Sequence, residues 1–154
     1  MEWLPDVNIT EVVGMLEVIH DNGDKMGADD LQRLTGIPFD ELLPAIDAAV
    51  MLGLAVIRKH YISLTERGKK LLSLDPEERK EKLSEYIGEL PVFKKLFKII
   101  LKKGGKISEE ELLEMLKKEM SGKDAKSELK KIIQWGQYAE ILDYDPPSKE
   151  ISIL

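Results

Sequence analysis

Apolar residues recur at helical spacing along most of the chain, and the stretches where that spacing fails divide it into elements. Ile9, Val12, Val13, Leu16 and Ile19 form one stripe. Asn8 followed by Glu11 predicts a capping box at its start, and Asp21-Asn22-Gly23-Asp24 predicts a turn at its end. A short helix is expected over 28–35 with Leu31 and Leu34 inward and Gly36 as its stop. A third is expected over 39–52, with Leu42, Leu43, Ile46, Ala49 and Val50 on one side and Pro44 near its first turn. The period then changes. Ala55-Val56-Ile57-Arg58 and Tyr61-Ile62-Ser63-Leu64 read as two strands joined at Lys59-His60, and Thr65 caps a helix over 66–74.

The pattern then repeats without visible sequence repetition. Asp75-Pro76-Glu77-Glu78 is a helix start, and Leu83, Tyr86, Ile87 and Leu90 give that connecting helix its apolar face up to Pro91. The next helix turns Phe93, Leu96, Phe97, Ile100 and Leu101 inward and ends at Gly104-Gly105. Ser108 with Glu111 caps another, which buries Leu112 and Leu116. A long helix after Ser121-Gly122 carries Leu129, Ile132, Ile133 and Gly136, and the tail folds back at Asp145-Pro146-Pro147-Ser148 as a hairpin. Three helices followed by a hairpin, twice, predicts a mainly α protein with small β-hairpins. The expected architecture is two tandem winged-helix (winged helix-turn-helix) modules, residues 1–75 and 76–154, the second including the connecting helix.

Composition narrows the function classes. Of 154 residues 43% are hydrophobic and 34% charged, the balance of a globular chain. No apolar run approaches the roughly 20 residues of a membrane span, and the start lacks the basic and apolar regions of a signal peptide. A cytoplasmic protein without membrane insertion is expected. There is no cysteine, which removes disulfides, thiol catalysis and cysteine zinc sites together. Lysine supplies 19 of the 23 basic residues and glutamate 18 of the 29 acidic ones, a thermophile-like composition.

No enzyme chemistry is legible, and neither cofactor, metal nor catalytic residue is expected. His20 and His60 stand alone at a helix end and a turn. Gly104-Gly105-Lys106-Ile107-Ser108 lacks the spacing of a phosphate-binding loop, and Glu109-Glu110-Glu111 suits a helix N-terminus without any metal.

Charge bears on nucleic acid. Residues 1–77 carry 7 basic and 14 acidic groups, giving −7, while residues 78–154 carry 16 and 15, giving +1. Duplex binding draws on phosphate neutralisation. The third helix of the first module holds Asp40, Glu41 and Asp47 and no basic residue, which disfavours base readout there. Those three carboxylates are candidate protein-interaction residues, or simply solvated. In the second module Lys123, Lys126, Lys130, Gln134 and Gln137 fall along one helix face. They are the candidate nucleic-acid residues of an alternative reading as a transcription regulator, or a solvated face with Asp124 and Glu128 beside the lysines.

Five segments resemble a known family. Trp135-Gly136-Gln137-Tyr138-Ala139-Glu140-Ile141-Leu142-Asp143-Tyr144-Asp145 is similar to the Trp-Gly-x-Tyr-Ala-Glu-x-x-x-Tyr-Asp signature of the C-terminal AAA-associated domain. Glu11 to Val18, Asp40-Glu41-Leu42-Leu43-Pro44, Met51-Leu52-Gly53-Leu54-Ala55 and Leu64-Thr65-Glu66-Arg67-Gly68-Lys69 resemble its other elements in the right order. That domain follows the ATPase of some ABC transporter ATP-binding proteins of the nitrate, sulfonate and taurine class. The resemblance implies a non-catalytic regulatory or protein-interaction domain whose partner is a transporter ATPase. It implies no ligand-binding residues and leaves self-association open. The chain opens at Met1 on this domain, so a free-standing homologue or an excised piece is expected. Trp135, Tyr138 and Tyr144 are expected to pack the second module.

Overall fold

A computed structural model describes residues 3–154 as eight helices and six short strands. The chain divides into two compact units: an N-terminal unit, Pro5–Lys82, and a C-terminal unit, Leu83–Leu154, which also takes in Trp3 and Leu4.

In the N-terminal unit, α1 (Ile9–Asp21) leads into β1 (Lys25–Gly27), α2 (Ala28–Thr35) and α3 (Phe39–Met51). The hairpin β2 (Ala55–Arg58) and β3 (Tyr61–Leu64) follows, then α4 (Glu66–Ser73). The sheet is antiparallel with β3 at its centre, pairing Met26 with Ile62 on one side and Ile57 with Ile62 on the other. Ile9, Val12, Leu16 and Ile19 of α1 are buried, as the stripe predicted, together with Leu31, Ile46 and Leu54. Such burial contributes roughly 1.5–3 kcal/mol for each large side chain.

The C-terminal unit has the same order of elements. α5 (Pro76–Gly88), within which the units divide, precedes α6 (Pro91–Lys102), β4 (Lys106–Ser108), α7 (Glu109–Lys117) and α8 (Gly122–Tyr138). The hairpin β5 (Leu142–Asp145) and β6 (Glu150–Ile153) pairs with β4 in the order β4-β6-β5, again antiparallel, with Ile107 and Tyr144 both opposite Ile151. Phe93, Leu96, Ile100, Trp135 and Ile151 are buried in this unit.

The structure corrects the sequence reading at several places. Each sheet has a third strand, β1 or β4, where only a hairpin was expected; three residues are too few to show a period. Asn8 makes no side-chain cap. Its Nδ2 instead donates to Glu11 Oε1 at 3.3 Å, and the backbone N–H groups of Glu11 and Val12 close the turn onto the Asn8 carbonyl. Leu34, Leu43, Val50 and Leu101, all expected inward, are 58%, 38%, 42% and 65% exposed, and Phe97 is only half-buried. A helix advances about 100° per residue, so one buried face cannot hold both members of an adjacent pair such as Leu42 and Leu43 equally well.

Candidate functional site: two outward helix faces

The side chains of α3 divide sharply. Leu42, Ala45, Ile46, Ala48 and Ala49 are buried. At about 100° per residue, Phe39, Asp40, Leu43, Asp47 and Val50 share an opposite arc of about 100°, and all five are exposed. Asp40 and Asp47 are thus brought together with apolar neighbours. Glu41 falls elsewhere, at the rim of a hollow it lines with Glu11, Met15, Ile37 and Ala45. The helix start is fixed by Gln32, whose Oε1 accepts the Phe39 N–H at 2.7 Å, and by Gly36, which ends α2 at φ 70°. The helix contains no cation, and the carboxylates of Asp40, Glu41 and Asp47 have no ion-pair or hydrogen-bond partner among the described residues.

On α8, Lys123, Lys126, Lys130 and Gln137 are exposed on one face, and Gln134 is half-buried on the same face with its Oε1 unpaired. The three lysines have no ion-pair partner among the described residues. Lys126 and Lys130 flank a hollow floored by Leu113, Leu129 and Ile133. Glu128 does not belong to this face, contrary to the sequence reading. It is 4% exposed on the opposite side of the helix, where both carboxylate oxygens accept the Leu4 N–H at 3.1 and 3.0 Å. Burial raises its pKa above the ordinary range, against the lowering by that N–H and by the charge of Lys131. The hairpin next to α8 is acidic, carrying Asp143, Asp145 and Glu150 against the single Lys149.

The remaining candidates for chemistry are satisfied locally. His20 Nδ1 lies 2.7 Å from Asp24 Oδ1, and His60 is exposed at the β2–β3 turn. Among the described residues no cluster of three or more His, Asp or Glu could hold a metal ion, and no helix is long and apolar enough to cross a membrane.

The family-like segments prove to be contact partners. Gly53 turns out of α3 at φ 74°. Thr65 Oγ1 donates to the Gly53 carbonyl at 2.6 Å, and Arg67 Nη1 donates to the Leu52 carbonyl at 3.0 Å. Thr65 Oγ1 in turn accepts the Gly68 N–H at 3.0 Å, capping α4. A Cβ on Gly68 would stand 2.2 Å from the Leu54 carbonyl oxygen. The segments 51–55 and 64–69 are therefore one junction, and they satisfy the carbonyls that a helix end leaves unpaired. The C-terminal signature does comparable work. Trp135 is fully buried, and a Cβ on Gly136 would lie 2.5 Å from Leu142 Cδ1. Tyr144 Oη donates to Glu109 Oε2 at 2.7 Å, a bond that raises the tyrosine pKa. Asp145 holds the next turn by accepting from the Ser148 N–H and hydroxyl.

The family profile of the C-terminal AAA-associated domain matches residues 29–145. The chain belongs to the C-terminal AAA-associated domain family. Four of the five family-like segments lie inside the match, and Glu11 to Val18 precedes it. Within this AAA-associated domain, the signature tryptophan, glycines, threonine and second tyrosine all carry packing or hydrogen bonds. No curated protein and no solved structure matches the chain.

Proposed function

We propose that this AAA-associated domain is a non-catalytic regulatory module of two tandem winged helices that docks on a transporter ATPase in the cytoplasm through the outward face of α3. The observation that carries the reading is the composition of that face: Phe39, Leu43 and Val50 are exposed along one edge of the arc and Asp40 and Asp47 along the other, with no cation on the helix. Apolar side chains in a polar frame supply the buried centre of a protein interface, and the carboxylates supply orientation against a basic patch. The same face would repel phosphates. The element order of each unit, with a three-stranded antiparallel sheet closing on the hairpin, supports the winged-helix reading.

Calorimetric titration against the ATPase encoded nearest to this gene tests the proposal, with wild type, Asp40→Lys/Asp47→Lys and Leu43→Ala/Val50→Ala. Binding by wild type and its loss in both folded variants is the expected result. A folded wild-type protein that does not bind defeats the docking idea; binding untouched by both variants defeats the face.

One observation favours a second reading, DNA binding through α8: its lysines are not neutralised by Glu128. The acidic β5–β6 hairpin opposes it, because a wing beside a bound duplex would bring three carboxylates toward phosphates. A salt-sensitive gel-shift complex lost on Lys126→Glu/Lys130→Glu would promote this reading over the first.

A further inference from the structure

Each unit has an apolar hollow among the three helices that precede its hairpin, and these two hollows differ in rim charge. In the N-terminal unit the hollow is about 350 Å³, with Glu11 and Glu41 on its rim and no lysine. In the C-terminal unit it is about 250 Å³, lined by Leu96 and Ile99 of α6, Leu112 and Met115 of α7, Ile132 of α8 and Trp3. Lys95, Lys118 and Glu119 stand around the latter. Lys95 Nζ pairs with Glu119 Oε1 at 2.8 Å, whereas Lys118 has no ionic partner among the described residues. The rim therefore carries one unbalanced positive charge over an apolar floor.

The hollow is a groove open to solvent, with an apolar floor that water wets. Apolar surface taken out of water by an apolar chain contributes roughly 25 cal/mol per Å². The floor offers that water no polar partner, so an apolar chain displaces it at no cost in protein hydrogen bonds. Trp3 is also held in place. The Leu4 N–H is fixed on buried Glu128 of α8, four residues before Ile132, which sets the indole of the preceding residue along the hollow. We infer that the hollow of the C-terminal unit binds a small organic monoanion, an aliphatic carboxylate whose chain lies along Leu96, Ile99, Met115 and Trp3 and whose head meets Lys118. One net positive charge on the rim matches a monoanion, and the chain covers the apolar floor. The N-terminal hollow, with two carboxylates on its rim, excludes the same ligand.

Decanoate is the probe, titrated below its micelle concentration into the full chain, with decylammonium and decanol as comparators. Calorimetry reads stoichiometry, and tryptophan fluorescence reads Trp3. One saturable decanoate site is expected, favoured over decylammonium by about tenfold. Lys118→Glu, an exposed change that leaves the core intact, weakens decanoate about fivefold and leaves decanol unaltered. Ile99→Trp fills the hollow and removes binding. Trp3→Phe abolishes the fluorescence change while calorimetric binding persists. The inference is overturned by an absence of saturable binding, by equal affinity for the carboxylate and the amine, or by a folded Ile99→Trp that binds as wild type does. None of these variants touches α3, so the result stands apart from the docking experiment.

Discussion

The two units share an order of elements and a sheet order, yet their third helices present opposite chemistry. Outward on α3 are Asp40, Asp47 and three large apolar side chains; outward on α8 are Lys123, Lys126 and Lys130. The hollows repeat the contrast, acidic at Glu11 and Glu41 in one and net basic at Lys95 and Lys118 in the other. Inward positions and junctions thus keep the frame, while outward positions are free to diverge. Likeness of fold between the halves says nothing about likeness of partner.

The largest effects should come from the junctions that keep the frames alike. Gly68→Ala drives a Cβ into the Leu54 carbonyl oxygen, a backbone atom that cannot swing aside, and should cost about 3 kcal/mol or more in urea unfolding. Gly136→Ala meets Leu142 Cδ1, Cγ and Cβ at 2.5, 2.9 and 3.0 Å, of which a rotamer change relieves the first most easily while the Cβ stays with the backbone, and should cost about 2 kcal/mol. The reverse ranking would mean that the C-terminal junction is the stiffer one.

Interface energies come next. Leu43→Ala/Val50→Ala should weaken ATPase binding by about 1–3 kcal/mol while leaving the chain folded, because neither side chain belongs to the buried core. The matching change on α8, Lys126→Glu/Lys130→Glu, should leave that binding alone. Equal loss from both faces in calorimetry would erase the functional contrast between the units.

Caps give a smaller test. Thr65→Ala and Ser108→Ala each remove an N-cap acceptor, typically worth about 1 kcal/mol. Thr65 should cost the more of the two, since its hydroxyl also donates to Gly53. Thermal unfolding of the pair decides.

The smallest effect concerns pH. Glu128 has a raised pKa in the folded chain, so folding favours its protonated form, and its ionisation takes stability away as pH rises through the folded value. Lowering pH toward that value should therefore stabilise the fold through this group. Glu128→Gln keeps an acceptor for Leu4 and should alter stability at neutral pH by less than about 1 kcal/mol. Its stability should also depend less on pH across the raised titration. An unchanged slope in matched urea titrations would assign the pH dependence to other groups.

Much of this was legible in the chain. The stripes from Ile9 to Ile19 and from Leu83 to Ile87, the β2–β3 hairpin, and the caps at Thr65 and Ser108 follow from local spacing, and local spacing is what sequence displays. β1 and β4 escaped because Met26 and Ile107 are single buried residues in strands of three. At the candidate face, the acidic residues of α3 could be read but its exposed leucine and valine could not, because rotation about the helix, rather than hydropathy, decides which side a residue meets. The place of Glu128 is hidden from the sequence for a different reason. Its neighbours in sequence are lysines and serine, and nothing local announces a partner 124 residues away.

That anchoring of Leu4 on α8 also bears on the order in which the chain can fold. A ribosome delivers Trp3 and Leu4 before the N-terminal unit and α8 after it, so the N-terminal unit emerges whole while the other unit waits for both of its pieces. Closing so long a loop is entropically slow, though its cost grows only logarithmically with length. The C-terminal unit should therefore mature late. An excised 83–154 fragment would lack Trp3 and leave the Glu128 carboxylate without the Leu4 N–H; a version with residues 3 and 4 spliced ahead of 83 is the one to express.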